Sequence, residues 1–139
     1  MARTTFSGPV VSQNGFIQGH QPTTANAINV TGTATAAQVA DGYITSTSAG
    51  TVTITLPTGT ALGTFLGATR GTVLDLFIDN TAGASVVTVA ANTNAVLSSA
   101  AVDTAGSFGD LTIAAGATGI ARFTLMFSSA TAYTFTRTA

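Results

Sequence analysis

Thr51-Val52-Thr53-Ile54-Thr55-Leu56-Pro57 is the stretch that decides how this chain is read. Hydroxyl and aliphatic residues alternate with a period of two, so an extended backbone carries one apolar side and one polar side. Threonine, valine and isoleucine are β-branched, stiff at χ1 and suited to a pleated surface. Pro57 has no amide hydrogen for a ladder and so closes the strand. Val52, Ile54 and Leu56 are expected in a core, with Thr51, Thr53 and Thr55 outside.

Reading outward from this strand, similar segments recur at the 8–12-residue spacing of an all-β domain. They cover 42–46, 72–79, 85–91, 95–98, 111–115, 120–127 and 132–138. The clusters at 47–50, 80–84, 116–119 and 128–131 read as hairpin-like turns between them. Leu74, Leu76 and Ile78 share one face of their segment; Phe123, Leu125 and Phe127 share one face of theirs. Tyr133 and Phe135 point to the same core. The expected fold is therefore an antiparallel β-sandwich of about eight strands, jelly-roll-like, over 39–139.

Between 58 and 71 glycines stand at 59, 63, 67 and 71. That interval matches helix-packing motifs of membrane spans, yet no apolar span of about 18 residues accompanies it. Leu62, Phe65 and Leu66 lie at i, i+3 and i+4, which suits one short helical turn over the core; a glycine-rich loop is the alternative. Residues 1–38 differ from the rest. Pro9 and Pro22, polar runs and isolated apolar residues suggest an extended N-terminal arm that orders against a partner, the other reading being a floppy terminus. Phe6, Phe16 and Ile17 are its candidate anchors, and Arg3 its candidate charged contact.

Composition narrows the function. The chain has 139 residues, four arginines and no lysine, five aspartates and no glutamate, and a net charge of −1. Only 6% of residues are charged, against about 25% in an ordinary domain. A monomer of this size exposes roughly 6,600 Å², or on the order of 700 Å² per charge. Such a surface self-associates unless other chains cover it, which points to an assembly component. Segment 85–91 is apolar on both faces, whereas a half-exposed strand shows one polar face. Val86 and Val87 are therefore expected in a subunit interface, most simply of a homotrimer.

Candidate chemistry is sparse. With no cysteine there are no thiolate metal sites or thiol nucleophiles. Without lysine there is no phosphate-binding loop of the Gly-Lys kind. Scattered arginines do not make a nucleic-acid surface, and the first residues lack the apolar run of a secretory signal. His20 has no nucleophile elbow to serve. Asp75 and Asp79 share a strand face and could act as a carboxylate pair on glycosides. A salt bridge to Arg70 or Arg122, or the blunting of an edge strand, is the plainer role for them. The loop 103–110 offers oxygens but no recognised calcium pattern. Asn29-Val30-Thr31 fits a glycosylation triplet without a secretory context. No enzyme, metal or cofactor is expected, and no nucleic-acid or membrane partner.

Several stretches resemble small capsid decoration (cement) proteins of tailed bacteriophages, of the marine and cyanophage type. They are Ala2-Arg3-Thr4-Thr5-Phe6-Ser7-Gly8-Pro9 running to Asn14-Gly15-Phe16, then Ala40-Asp41-Gly42-Tyr43-Ile44-Thr45-Ser46, then the closing run 111–136. The resemblance covers most of the chain. It implies a β-rich knob, commonly a trimer, on the outer capsid surface, bridging major capsid protein subunits. A tail-associated or head-fibre protein is the nearest variant. A carbohydrate-binding module is the main rival, but it should display exposed aromatics, and Phe123, Phe127, Tyr133 and Phe135 all alternate inward.

Overall fold

The computed structural model describes residues 26–97 and 111–139. In chain order the elements are β1 (Gly32–Thr33), α1 (Ala36–Ala40), β2 (Tyr43–Thr45), β3 (Val52–Thr55), α2 (Gly59–Leu66), β4 (Val73–Asp79) and β5 (Val87–Ala90). They continue as β6 (Ala95–Leu97), β7 (Thr112–Ile113), β8 (Ile120–Ser129) and β9 (Ala132–Arg137). The protein is mostly β, and all eight segments read from the sequence contain a strand.

The arrangement corrects the antiparallel expectation. A four-stranded sheet runs β1-β3-β5-β7 and a five-stranded sheet runs β2-β4-β8-β9-β6, and both are mixed. The pairs β1/β3, β3/β5, β2/β4 and β6/β9 are parallel, while β4/β8, β8/β9 and β5/β7 are antiparallel. From β1 to β8 the described strands alternate between the sheets, each joining the sheet opposite its predecessor's. A parallel pair needs a crossover connection, usually a helix. Here the crossover from β1 to β3 contains β2, and that from β3 to β5 contains β4. The turns at 47–50 and 80–84 are therefore arches between sheets and not hairpins. Two-residue hairpin turns demand positive φ at their centre, and no residue in either arch has one. Only β8 and β9, joined at 128–131, pair with their immediate successor.

One core fills the space between the sheets. Val52, Ile54, Val87, Val89 and Ile113 enter it from the four-stranded sheet; Leu76, Ile78, Phe123, Leu125, Phe127, Tyr133 and Phe135 enter from the other. The alternation read in 51–56 is thus borne out, as is the facing of the aromatic strands. Phe127 and Tyr133 pack with ring centroids 5.3 Å apart, tilted by 47°, within the range of favourable aromatic pairs.

The helical reading of 58–71 is also borne out, and extended. Thr58 caps α2 by accepting from the amide of Ala61, and Gly67 ends it in the left-handed region at φ 57°. Leu62 is buried, while Phe65 is partly exposed. Helix α1 was not foreseen. Thr35 and Gln38 form a reciprocal capping box, and Ala34 and Val39 are buried in the core. Described residues 26–38 therefore belong to the folded unit, which moves the boundary drawn at 38 back towards the N-terminus. Arg3, Phe6, Phe16, Ile17, His20 and the loop 103–110 lie outside the described residues.

Candidate functional site: an apolar sheet face

The two sheets present opposite chemistry on their outward faces. On the four-stranded sheet, register places Thr53 beside Thr88 and Thr88 beside Thr112, with Thr33 beside Thr55. That ladder of methyls and hydroxyls is a solvated surface of ordinary kind.

The five-stranded sheet turns a different face outward. Tyr43 on β2 lies beside Phe77 on β4, which lies opposite Arg122 on β8. Farther along, Val73 on β4 opposes Met126 on β8, Met126 opposes Thr134 on β9, and Thr134 neighbours Val96 on β6. Ile120 stands opposite Asp79. Tyr43, Val73, Phe77, Val96, Ile120 and Met126 are each 40–57% exposed. Among the described residues, the other exposed large apolar side chains are Val30, Phe65 and Val86, each away from this face. The six fall in two groups, Tyr43, Phe77 and Ile120 towards one end of β4 and Val73, Met126 and Val96 towards the other, with the polar row Asp75, Thr124 and Thr136 between them. Exposed apolar residues gathered on one face in this way mark an interaction site, whereas singly scattered ones do not.

The polar groups on this face are largely engaged within it. The Thr124 hydroxyl donates to Asp75 Oδ1 at 2.6 Å, and Arg122 Nε donates to Thr138 Oγ1 at 3.0 Å. The Tyr43 hydroxyl donates to Asp79 Oδ2 at 2.6 Å. The other Asp79 oxygen accepts from the hydroxyl and the amide of Thr81. The Thr81 hydroxyl, and then that of Tyr43, hold the Asp79 carboxyl below its usual range, while the bond to Asp79 raises the Tyr43 phenol above its own. Polar groups already hydrogen-bonded to one another lose less when water is removed from above them. These bonds lower the cost of covering a face that also carries Asp75, Asp79 and Arg122.

The sequence-derived candidates sort clearly. Val87 is buried in the molecule's own core at 1% exposure, beside Val52 and Ile113. It has no surface to offer a subunit interface, because it fills the space between the sheets; the exposed apolar member of the segment is Val86, which precedes β5. Val86 is partly exposed, and its carbonyl accepts from the Val52 amide. Asp75 and Asp79 do share an outward strand face, as read. Four residues along a strand span about 13 Å, whereas carboxylate pairs of glycosidases stand roughly 5–9.5 Å apart. Strand β4 lies between β2 and β8, so these carboxylates do not blunt an edge. Arg70 donates to the Ser128 carbonyl. Among the described residues no group of three His, Cys, Asp or Glu is placed to hold a metal ion, and no helix is long and apolar enough to cross a membrane.

Reasoning from the sequence missed the face itself. Its signal was present: Val73, Phe77, Ile120 and Met126 occupy the positions that alternate with core residues, where a solvated strand would carry threonine. No protein-family model, curated protein or solved structure matches this chain.

Proposed function

We propose that this protein is a structural, non-enzymatic virion component that decorates the outer capsid surface and stabilises it by bridging major capsid protein subunits. The observation that carries the reading is the broad outward face of the five-stranded sheet, on a chain with almost no charge to keep such a surface in solution alone. The resemblance of 2–16, 40–46 and 111–136 to phage decoration proteins supports the same class. A bound knob stabilises each subunit boundary through buried apolar area, and icosahedral repetition multiplies the effect. In this reading the protein is a homo-oligomer, and the first 25 residues, with Arg3, Phe6, Phe16 and Ile17, supply the capsid contact.

Cosedimentation with purified capsids tests it. The full chain should pellet with capsids, and a variant beginning at Asn26 should remain folded yet stay in the supernatant. Phe6→Ala and Phe16→Ala should each weaken binding by about 1–3 kcal/mol, as truncated anchors do. Undiminished binding by the shortened chain would refute the assignment of the arm.

One observation favours a second reading, a carbohydrate-binding surface module. Tyr43 and Phe77 are adjacent, exposed aromatics with Arg122 and Asp79 beside them, a combination that can stack on a sugar and bond its hydroxyls. Glycan-array binding lost on Phe77→Ala would favour it over the capsid reading.

A further inference from the structure

We infer that the outward face of the five-stranded sheet is where copies of this chain meet one another. The inference rests on the reading of the protein as an assembly component, but it needs no capsid.

Three observations select a second copy over another partner. The first is charge balance within the face. Asp75 and Asp79 flank Phe77 on β4, and Arg122 lies opposite Phe77 on β8. A face holding both signs in one small area is complementary to itself, so a rotated copy sets arginine against aspartate. A partner selected for one sign would meet the other as well.

The second is area. Five strands spaced about 4.8 Å apart and three to ten residues long outline roughly 500 Å². Two such faces in contact bury about 1,000 Å² in total, the lower bound for a specific interface. The geometry suits sheet-on-sheet packing, in which facing side chains interdigitate across about 10 Å.

The third is solubility. The chain has a net charge of −1 and 6% charged residues, which gives an uncovered apolar face little protection from disordered aggregation. Closing the face against identical copies protects it as soon as the chain folds. The threonine ladder on the opposite sheet then forms the outside of the assembly.

Light scattering on the purified full chain, without capsids, should give twice the mass of the 13.7 kDa monomer, because a face that packs on the same face of a copy closes as a two-fold pair. Met126→Arg should raise the dissociation constant about 10- to 100-fold, as for a lost central apolar contact. Thr88→Arg, on the opposite sheet, should leave the mass unchanged. The natural absence of cysteine supplies a second measurement if Met126→Arg fails to fold. In separate variants, Met126→Cys should be protected from a thiol reagent in the assembled protein, and Thr88→Cys should react readily. A monomeric wild type, a full-mass Met126→Arg variant, or equal labelling at 126 and 88 would each overturn the inference. Capsid binding is scored separately: a monomer that decorates capsids overturns this interface alone, and an oligomer that ignores them overturns only the proposed function.

Discussion

At the scale of single residues, Asn80 and Tyr133 tie the two sheets together. Asn80 follows β4 in the five-stranded sheet, is fully buried, and its side-chain amide donates to the carbonyls of Ser85, Ile113 and Ala114. Those acceptors lie beside or within β5 and β7 of the four-stranded sheet. Gly83 is required next to it, because a Cβ there would overlap the Asn80 side chain. Tyr133 on β9 makes the matching tie: its hydroxyl donates at 2.7 Å to the carbonyl of Pro57, just past β3. Burial pushes this phenol far above its usual range. Asn80→Leu keeps the branched outline of the side chain but is bulkier, and it leaves three carbonyls without this donor at buried or part-buried positions. It should destabilise the protein by roughly 2–4 kcal/mol in chemical denaturation, since an orphaned buried polar group costs about 1–3 kcal/mol. An unchanged midpoint would show that Asn80 is only a turn residue, the role its neighbours Asp79 and Thr81 suggest in the sequence.

At the scale of elements, the glycine interval in 58–71 acquires its meaning from packing. A Cβ on Gly59 would meet the carbonyls of Thr131 and Asn94, and one on Gly63 would meet the Ala130 carbonyl and the Phe127 ring. The spacing of four brings one face of α2 against the β8–β9 turn, using the logic of membrane helix pairs on a hairpin. Gly63→Ala gains helix propensity of about 1 kcal/mol but forces backbone apart, and overpacking of this kind costs roughly 1–3 kcal/mol. The melting temperature should therefore fall. Gly50→Ala is the control, since a Cβ there meets nothing within 4 Å, and it should leave melting unchanged. Helix α1 gives the reverse lesson. Its Thr35-x-x-Gln38 box is a local signal for a helix start, overlooked because the surrounding stretch has no strong periodicity.

At the scale of the whole molecule, the uneven clothing of the two sheets governs behaviour in solution. Contacts through an apolar face with internally bonded polar groups depend on buried area and little on exposed ion pairs. Raising salt shortens the Debye length from about 10 Å at 0.1 M to about 3 Å at 1 M, while apolar burial persists or strengthens. Self-association measured by sedimentation in sodium chloride should accordingly hold from about 0.1 M to 1 M, the range over which that screening develops. Dissociation into monomers at the high end would mean that Arg122 and the aspartates dominate the contact.

What the sequence determined by itself was local. Alternation in 51–56, 72–79, 120–127 and 132–138 specified strands and the side of each that is buried, because a period of two is written in consecutive residues. The cap at Thr58 and the left-handed stop at Gly67 are likewise short-range chemistry. Only the tertiary structure decided which sheet each strand joins and in what direction. A turn of four or five residues can close a hairpin or arch over to the facing sheet, and both keep the apolar side inward. The same division explains the candidate site. The apolar positions Val73, Phe77, Ile120 and Met126 were legible one by one, but an interaction face exists only once parallel and antiparallel register sets β2, β4, β8, β9 and β6 side by side. Val87 fell on the wrong side of that division, since its burial depends on neighbours from β3 and β7 that no local pattern names.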